Sequence, residues 1–181
     1  MRYVYVVLSS TPTLFGKTLR AVCGKRLNHA SISLDEGLNE MYSFARHKLH
    51  TPLVGGLVKE NFDRLSLGGK YHVHVKIYKI SVSDAQYERI AHYIYSVRDD
   101  EEQYLYNLFA IVGYPFHKGY NVYKAYVCSE FVVRTLLAGR VSMRNGATFR
   151  IQPEDIGDFI YKNLYFEGSL SEYVSRVNHL N

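Results

Sequence analysis

Between Cys128 and Gly139 the chain commits itself to a helix with one apolar side. Phe131, Val132, Thr135 and Leu136 follow Cys128 at i+3, i+4, i+7 and i+8, the spacing of a single buried stripe. The sulfur therefore opens the inward face and points at whatever the helix packs on. Glu130 and Arg134 stand at i, i+4 on another face, which suits a solvated ion pair, and Gly139 supplies a C-terminal stop. A thiol at a helix head meets the positive end of the dipole and the unsatisfied N–H groups of the first turn. These favour a nucleophilic anion and can also receive an oxyanion. The competing reading of such a cysteine is a small core residue. What weighs against it is a histidine elsewhere in the chain placed to serve the thiol.

That histidine lies in Leu27-Asn28-His29-Ala30-Ser31-Ile32-Ser33-Leu34, an alternating stretch that reads as a strand. Ala30, Ile32 and Leu34 take one face, and His29, Ser31 and Ser33 the other. Turn chemistry over 35–39 returns the chain as a second strand, Glu40 to Ala45, whose odd positions Met41, Ser43 and Ala45 are mostly small. Two adjacent strands with a small-residue face predict a helix backbone lying close over that face, with His29 as its one large polar group. Together with Cys128 this points to a Cys–His dyad.

The remaining segments supply the scaffold. Tyr3 to Ser9 reads as a buried strand, and Thr11-Pro12 opens a helix whose inward residues include Leu14, Leu19 and Cys23. Cys23, near that helix's C-terminal end, reads as core. Arg46 to Lys70, punctuated by Pro52, Gly55-Gly56 and Gly68-Gly69, reads as a loop region able to wall a cleft. Tyr71 to Ile80 alternates as a strand; its outward His72, His74 and Lys76 read as a solvated face and not a metal site. Ser83-Asp84-Ala85-Gln86 is a capping box for a helix ending near Arg98, and Gln103 to Val112 reads as a further helix. Tyr120 to Tyr126 reads as extended chain leading into Cys128. Pro153 to Ile156 starts a short helix, and Leu164 to Ser169 reads as a turn before a last helix from about Leu170.

Composition excludes several classes. With 181 residues and 47% apolar content, a single domain spanning 1–181 has enough material for a full core. Two distant cysteines make neither a disulfide framework nor a four-ligand zinc site. The apolar run Tyr3 to Leu8 is too short for a secretory core or a membrane span, so no transmembrane segment is expected and the expected location is cytoplasmic. A net charge of +5 without any lysine or arginine block gives no reason to expect a specific nucleic-acid partner.

On these residues the chain resembles permuted papain-like cysteine hydrolases of the NlpC type, the branch loosely called YiiX/YebB-like, with lecithin:retinol acyltransferase as a distant relative. The similarity rests on Asn28-His29-Ala30-Ser31-Ile32, then Met41-Tyr42-Ser43-Phe44, then Tyr126-Val127-Cys128-Ser129-Glu130-Phe131-Val132. The histidine strand precedes the cysteine helix, which is the permuted order. Gly55 to Glu60, Pro153 to Ile156 and Tyr165 to Gly168 extend the resemblance over most of the chain.

The resemblance implies an α+β fold, a small antiparallel sheet or barrel with the cysteine-bearing helix packed on it. It implies Cys128 as nucleophile, His29 as base and a third polar group on the following strand. Ser43 is nearest to that place, with Glu40, Glu60 and a backbone carbonyl as alternatives. The implied activity is cleavage or transfer of an acyl group from an amide or ester through a thioester, without a cofactor or metal. A peptide, cell-wall or lipid-like small molecule would be the substrate. The alternative is a weakly active or inactive lipid- or peptide-binding module on the same scaffold. The sequence does not choose an oligomeric state.

Overall fold

The computed structural model describes residues 1–13, 16–17, 20–21, 24–46, 55–100, 105–106, 125–143 and 151–179. Its centre is a six-stranded antiparallel sheet of β1 (Arg2–Ser9), β2 (His29–Ser33), β3 (Met41–Arg46), β4 (Gly55–Glu60), β5 (His74–Val82) and β8 (Leu164–Ser169). The spatial order is β4-β3-β2-β1-β5-β8. β1 is central and apolar, pairing Ser9 with His29 on one side and with Val75 on the other. Two short segments, β6 (Leu105–Tyr106) and β7 (Ala125–Tyr126), pair in parallel as a separate ribbon.

Period-two alternation sorts the sheet into two faces. Val4, Val6, Leu8, Ala30, Ile32, Tyr42 and Phe44 form one core with the stripe of α2 (Asp84–Asp99) and with α3 (Cys128–Ala138). The rings of Phe44 and Phe131 lie 5.2 Å apart, and a Cβ at Gly139 would fall 2.4 Å from the Ile90 side chain, so a larger residue there would require Ile90 to shift. On the other face Tyr5, Val7, Met41, Val75 and Ile77 pack with Leu65 of α1 (Phe62–Ser66) and with Leu170, Tyr173 and Val177 of α5 (Leu170–Asn178). A turn at Pro153–Asp155 leads into α4 (Ile156–Ile160), which closes the first core with Ile156 and Ile160. No helix among the described residues is long and apolar enough to cross a membrane.

Several expectations change. The stretch 55–60 is an edge strand, and 62–66 is a helix capped by Asn61, whose side chain accepts from the Arg64 amide at 2.7 Å. Leu164–Ser169 is the opposite edge strand and not a turn. Leu105–Tyr106 is extended where a helix was expected, while the rest of 103–112 lies outside the described residues. The cysteine helix packs on the Ala30–Ile32–Phe44 face, so the apolar side of β2 receives it and the serine side turns away. Glu130 and Arg134 do pair, at 2.8 and 2.9 Å, but Glu130 is buried. Burial pushes its carboxyl upward and Arg134 only partly offsets that. Cys23 lies outside the described residues.

Because Phe131 is fully buried between Phe44 and Tyr93, Phe131→Ala is expected to destabilise the chain by about 3–5 kcal/mol in a urea titration.

Candidate active site

Local hydrogen bonding fixes where His29 begins its strand. Asn28 Oδ1 accepts from the Thr11 amide at 3.0 Å and from Arg20 at 2.7 Å, and Asn28 Nδ2 donates to Thr11 Oγ1 at 2.7 Å. The Asn28 amide donates to the Ser9 carbonyl, while Glu154 Oε2 accepts from the amides of Arg26 and Leu27. With the preceding residues tied down, His29 stands at the rim of the sheet, paired with the last residue of β1. Cys128, the first residue of α3, comes within hydrogen-bonding and electrostatic reach of the imidazole.

The second ring contact is to a carboxylate. Glu60 ends β4, and its Oε1 lies 3.0 Å from His29 Nε2. Ser43 Oγ donates to the same Oε1 at 2.6 Å. Arg64, one helical turn on in α1, brings Nε to 3.0 Å from Oε2, a charge contact without hydrogen-bond alignment. Nε2 is thus committed to Glu60, which leaves Nδ1 as the ring nitrogen for the thiol. All three groups are nearly closed off: Cys128 is 5%, His29 9% and Glu60 3% exposed. Any reagent must reach a sulfur that is almost entirely covered.

The charges in this site support one another. Burial alone lowers the basicity of His29, but the Cys128 sulfur and the Glu60 carboxylate more than offset it and raise the imidazole to about 10. Burial pushes Glu60 up, and His29, Ser43 and Arg64 more than reverse this, holding it below the ordinary carboxylate range. At neutral pH the ring is an imidazolium held between sulfur and carboxylate.

The helix head is suited to anions as well. Val127 occupies the N-cap position and makes no side-chain cap, so side-chain capping does not consume the first-turn amides of α3. Ser129 Oγ instead donates to the Ile151 carbonyl at 2.7 Å, tying the helix start to the segment after it.

The structure therefore brings Cys128 and His29 together and gives the imidazole Glu60 as its direct partner, with Ser43 one hydrogen bond behind. Glu40 accepts from Tyr42 at 2.5 Å and pairs with Lys59, and so is engaged elsewhere. His74 lies 3.4 Å from Glu167, which Lys76 also reaches. Sequence reasoning gave Glu60 only as an alternative because β4 was read as loop. The signal that pointed to it was weak: Val58 and Glu60 alternate with Leu57 and Lys59 just ahead of the capping Asn61. No protein-family model, curated protein or solved structure compared with the chain matches it.

The pH dependence of stability follows with a definite sign. His29 is raised from 6.5 to about 10, so its contribution is complete below 6.5 and is lost as pH rises through about 10. Glu60 is held below 4.5, so its contribution is present above 4.5 and is lost as pH falls through the lowered value. Glu60→Gln is expected to cost about 2–3 kcal/mol in urea unfolding. The difference from wild type should be largest between 4.5 and 6.5 and shrink on either side.

Proposed function

We propose that the chain is a cysteine hydrolase or acyltransferase that cleaves an amide or ester bond through a thioester on Cys128. One observation carries this reading: a buried imidazole is engaged at once by a helix-head thiol and by a buried carboxylate. In this scheme the proton of the dyad already rests on His29, and the Cys128 sulfur attacks the acyl carbon. The Cys128 amide and the other first-turn amides stabilise the oxyanion. The imidazolium then gives its proton to the departing amine or alcohol as the C–N or C–O bond breaks. Water or an acceptor alcohol or amine, deprotonated by His29, attacks the thioester, breaks its C–S bond and returns the dyad to its starting state.

Glu60 fills the third role expected of Ser43, orienting the ring and balancing its charge, while Ser43 braces the carboxylate. The permuted papain-like architecture is part of the proposal. It is supported by the α+β fold, by the histidine strand preceding the cysteine helix and by that helix packing on the antiparallel sheet. The substrate in this reading is a peptide-like or lipid-like acyl donor. No step calls on a metal or a cofactor.

Alkylation by iodoacetamide, read residue by residue by mass spectrometry at neutral pH, tests the dyad. Cys128 should label readily, and His29→Ala should slow labelling on the order of a hundredfold, with Glu60→Gln costing roughly tenfold. Cys23→Ala should leave the Cys128 rate unchanged. Slow labelling of Cys128 that is indifferent to His29→Ala would favour the binding module over the enzyme.

A further inference from the structure

The face of β2 that turns away from α3 carries a polar strip of which the proposed chemistry uses only a part. Ser9, His29, Ser31, Ser43 and Glu60 come from four neighbouring strands, and all are buried. Ser9 is the cross-strand partner of His29, and Ser31 pairs with Val7 two positions along. Ser9 and Ser31 are thus the cross-strand and same-strand neighbours of His29 on its own face of the sheet.

Two serine hydroxyls near the His29–Glu60 pair have no hydrogen-bond partner among the described residues. Ser43 is satisfied by Glu60, but Ser9 Oγ and Ser31 Oγ, in fully buried residues, have no hydrogen-bond partner among the described residues. Glu60 Oε2, by contrast, has the Arg64 guanidinium at 3.0 Å. Buried polar atoms are almost always paired, and two hydroxyls flanking one ring ask for a common partner. Diagonal neighbours on one face of an antiparallel pair stand about 7 Å apart at the backbone. Hydroxyls leaning toward one another close part of that gap, and one water making two hydrogen bonds of about 2.8 Å each bridges what is left.

We propose that Ser9 and Ser31 hold an internal water beside the His29 ring, bridging the two hydroxyls. The water site follows from the burial and register of these residues and stands whether or not the chain is an enzyme. Its role in catalysis rests on the hydrolase reading. Ser9 and Ser31 are then positioning residues: they touch no substrate, and through the water they solvate the charged pair from the His29 side. Replacing the water by a methyl group removes that solvation, which disfavours both charged forms. The imidazole should then lose its proton at lower pH and the carboxylate should gain one at higher pH.

Two measurements on the full chain test this. A crystal structure at a resolution that shows ordered solvent should place one water within hydrogen-bonding distance of both Ser9 Oγ and Ser31 Oγ. Its absence overturns the proposal. Nitrogen NMR of the His29 ring should show a titration midpoint about one unit lower in Ser31→Val, a tenfold change in proton affinity, while Ser31→Ala, which leaves room for the water, changes it less. Equal midpoints in wild type and Ser31→Val, with both folded by circular dichroism, also overturn it. Should Ser31→Val fail to fold, Ser9→Val and the wild-type crystal structure decide the matter. An ordered water in a chain whose Cys128 resists alkylation would leave the site standing and remove the enzyme.

Discussion

A single buried hydrogen bond, from the imidazole of His29 to the carboxylate of Glu60, decides what the thiol of Cys128 can be. Without a buried anion on its far nitrogen, the ring would be neutral in so dry a place, because desolvation disfavours the charged form. With Glu60 at 3.0 Å and the sulfur on the other side, the balance reverses and the ring keeps its proton. The carboxylate needs support of its own. Ser43 and Arg64 provide it from a neighbouring strand and from the helix that follows Glu60 directly. Removing any member leaves another buried charge short of a partner, so the group acts as a unit.

The fold serves this unit by bringing strand ends and helix ends together. His29 opens β2, Glu60 closes β4, Cys128 opens α3 and Arg64 sits in α1 immediately after Glu60. The hydrophobic cores on the two faces hold the elements in place. Phe131 and Leu136 seat α3 on Ala30, Ile32 and Phe44, while Leu65 seats α1 against Met41 on the other side. The polar residues cluster at the rim and along the serine face, and the apolar ones fix the distances between them. Rigid elements, tied locally by Asn28 and Asn61, set the ring and the carboxylate more firmly than loops would.

The strands and helices that alternate or repeat strongly were legible in the sequence. β1, β2, β3, most of β5, α2, α3 and the last helix all carry their periods in plain view, because each buries a continuous stripe. The two edge strands did not. β4 begins with two glycines and ends in Lys59-Glu60, and β8 carries Glu167 and Gly168, the composition of chain that has solvent on one flank. That omission had a direct consequence for the site. With β4 read as loop, Glu60 had no fixed place, and Ser43, on a strand that could be seen, stood in for it. The burial of Glu130 also escaped the sequence, because i, i+4 spacing shows that two charges meet and not whether water surrounds them. Which face of β2 receives α3 was misjudged for a related reason. Small residues permit close approach, but apolar area decides where a helix packs, and Ala30, Ile32 and Phe44 supplied it.

The most direct test of the account is acid-quenched intact-mass analysis of the protein during reaction with an activated acyl ester such as a p-nitrophenyl alkanoate, followed by peptide mapping. The account requires one acyl group, bound as a thioester on Cys128, accumulating in wild type and formed far more slowly in His29→Ala. Failure to detect any adduct on Cys128, or an adduct that forms equally fast without the His29 imidazole, would contradict it.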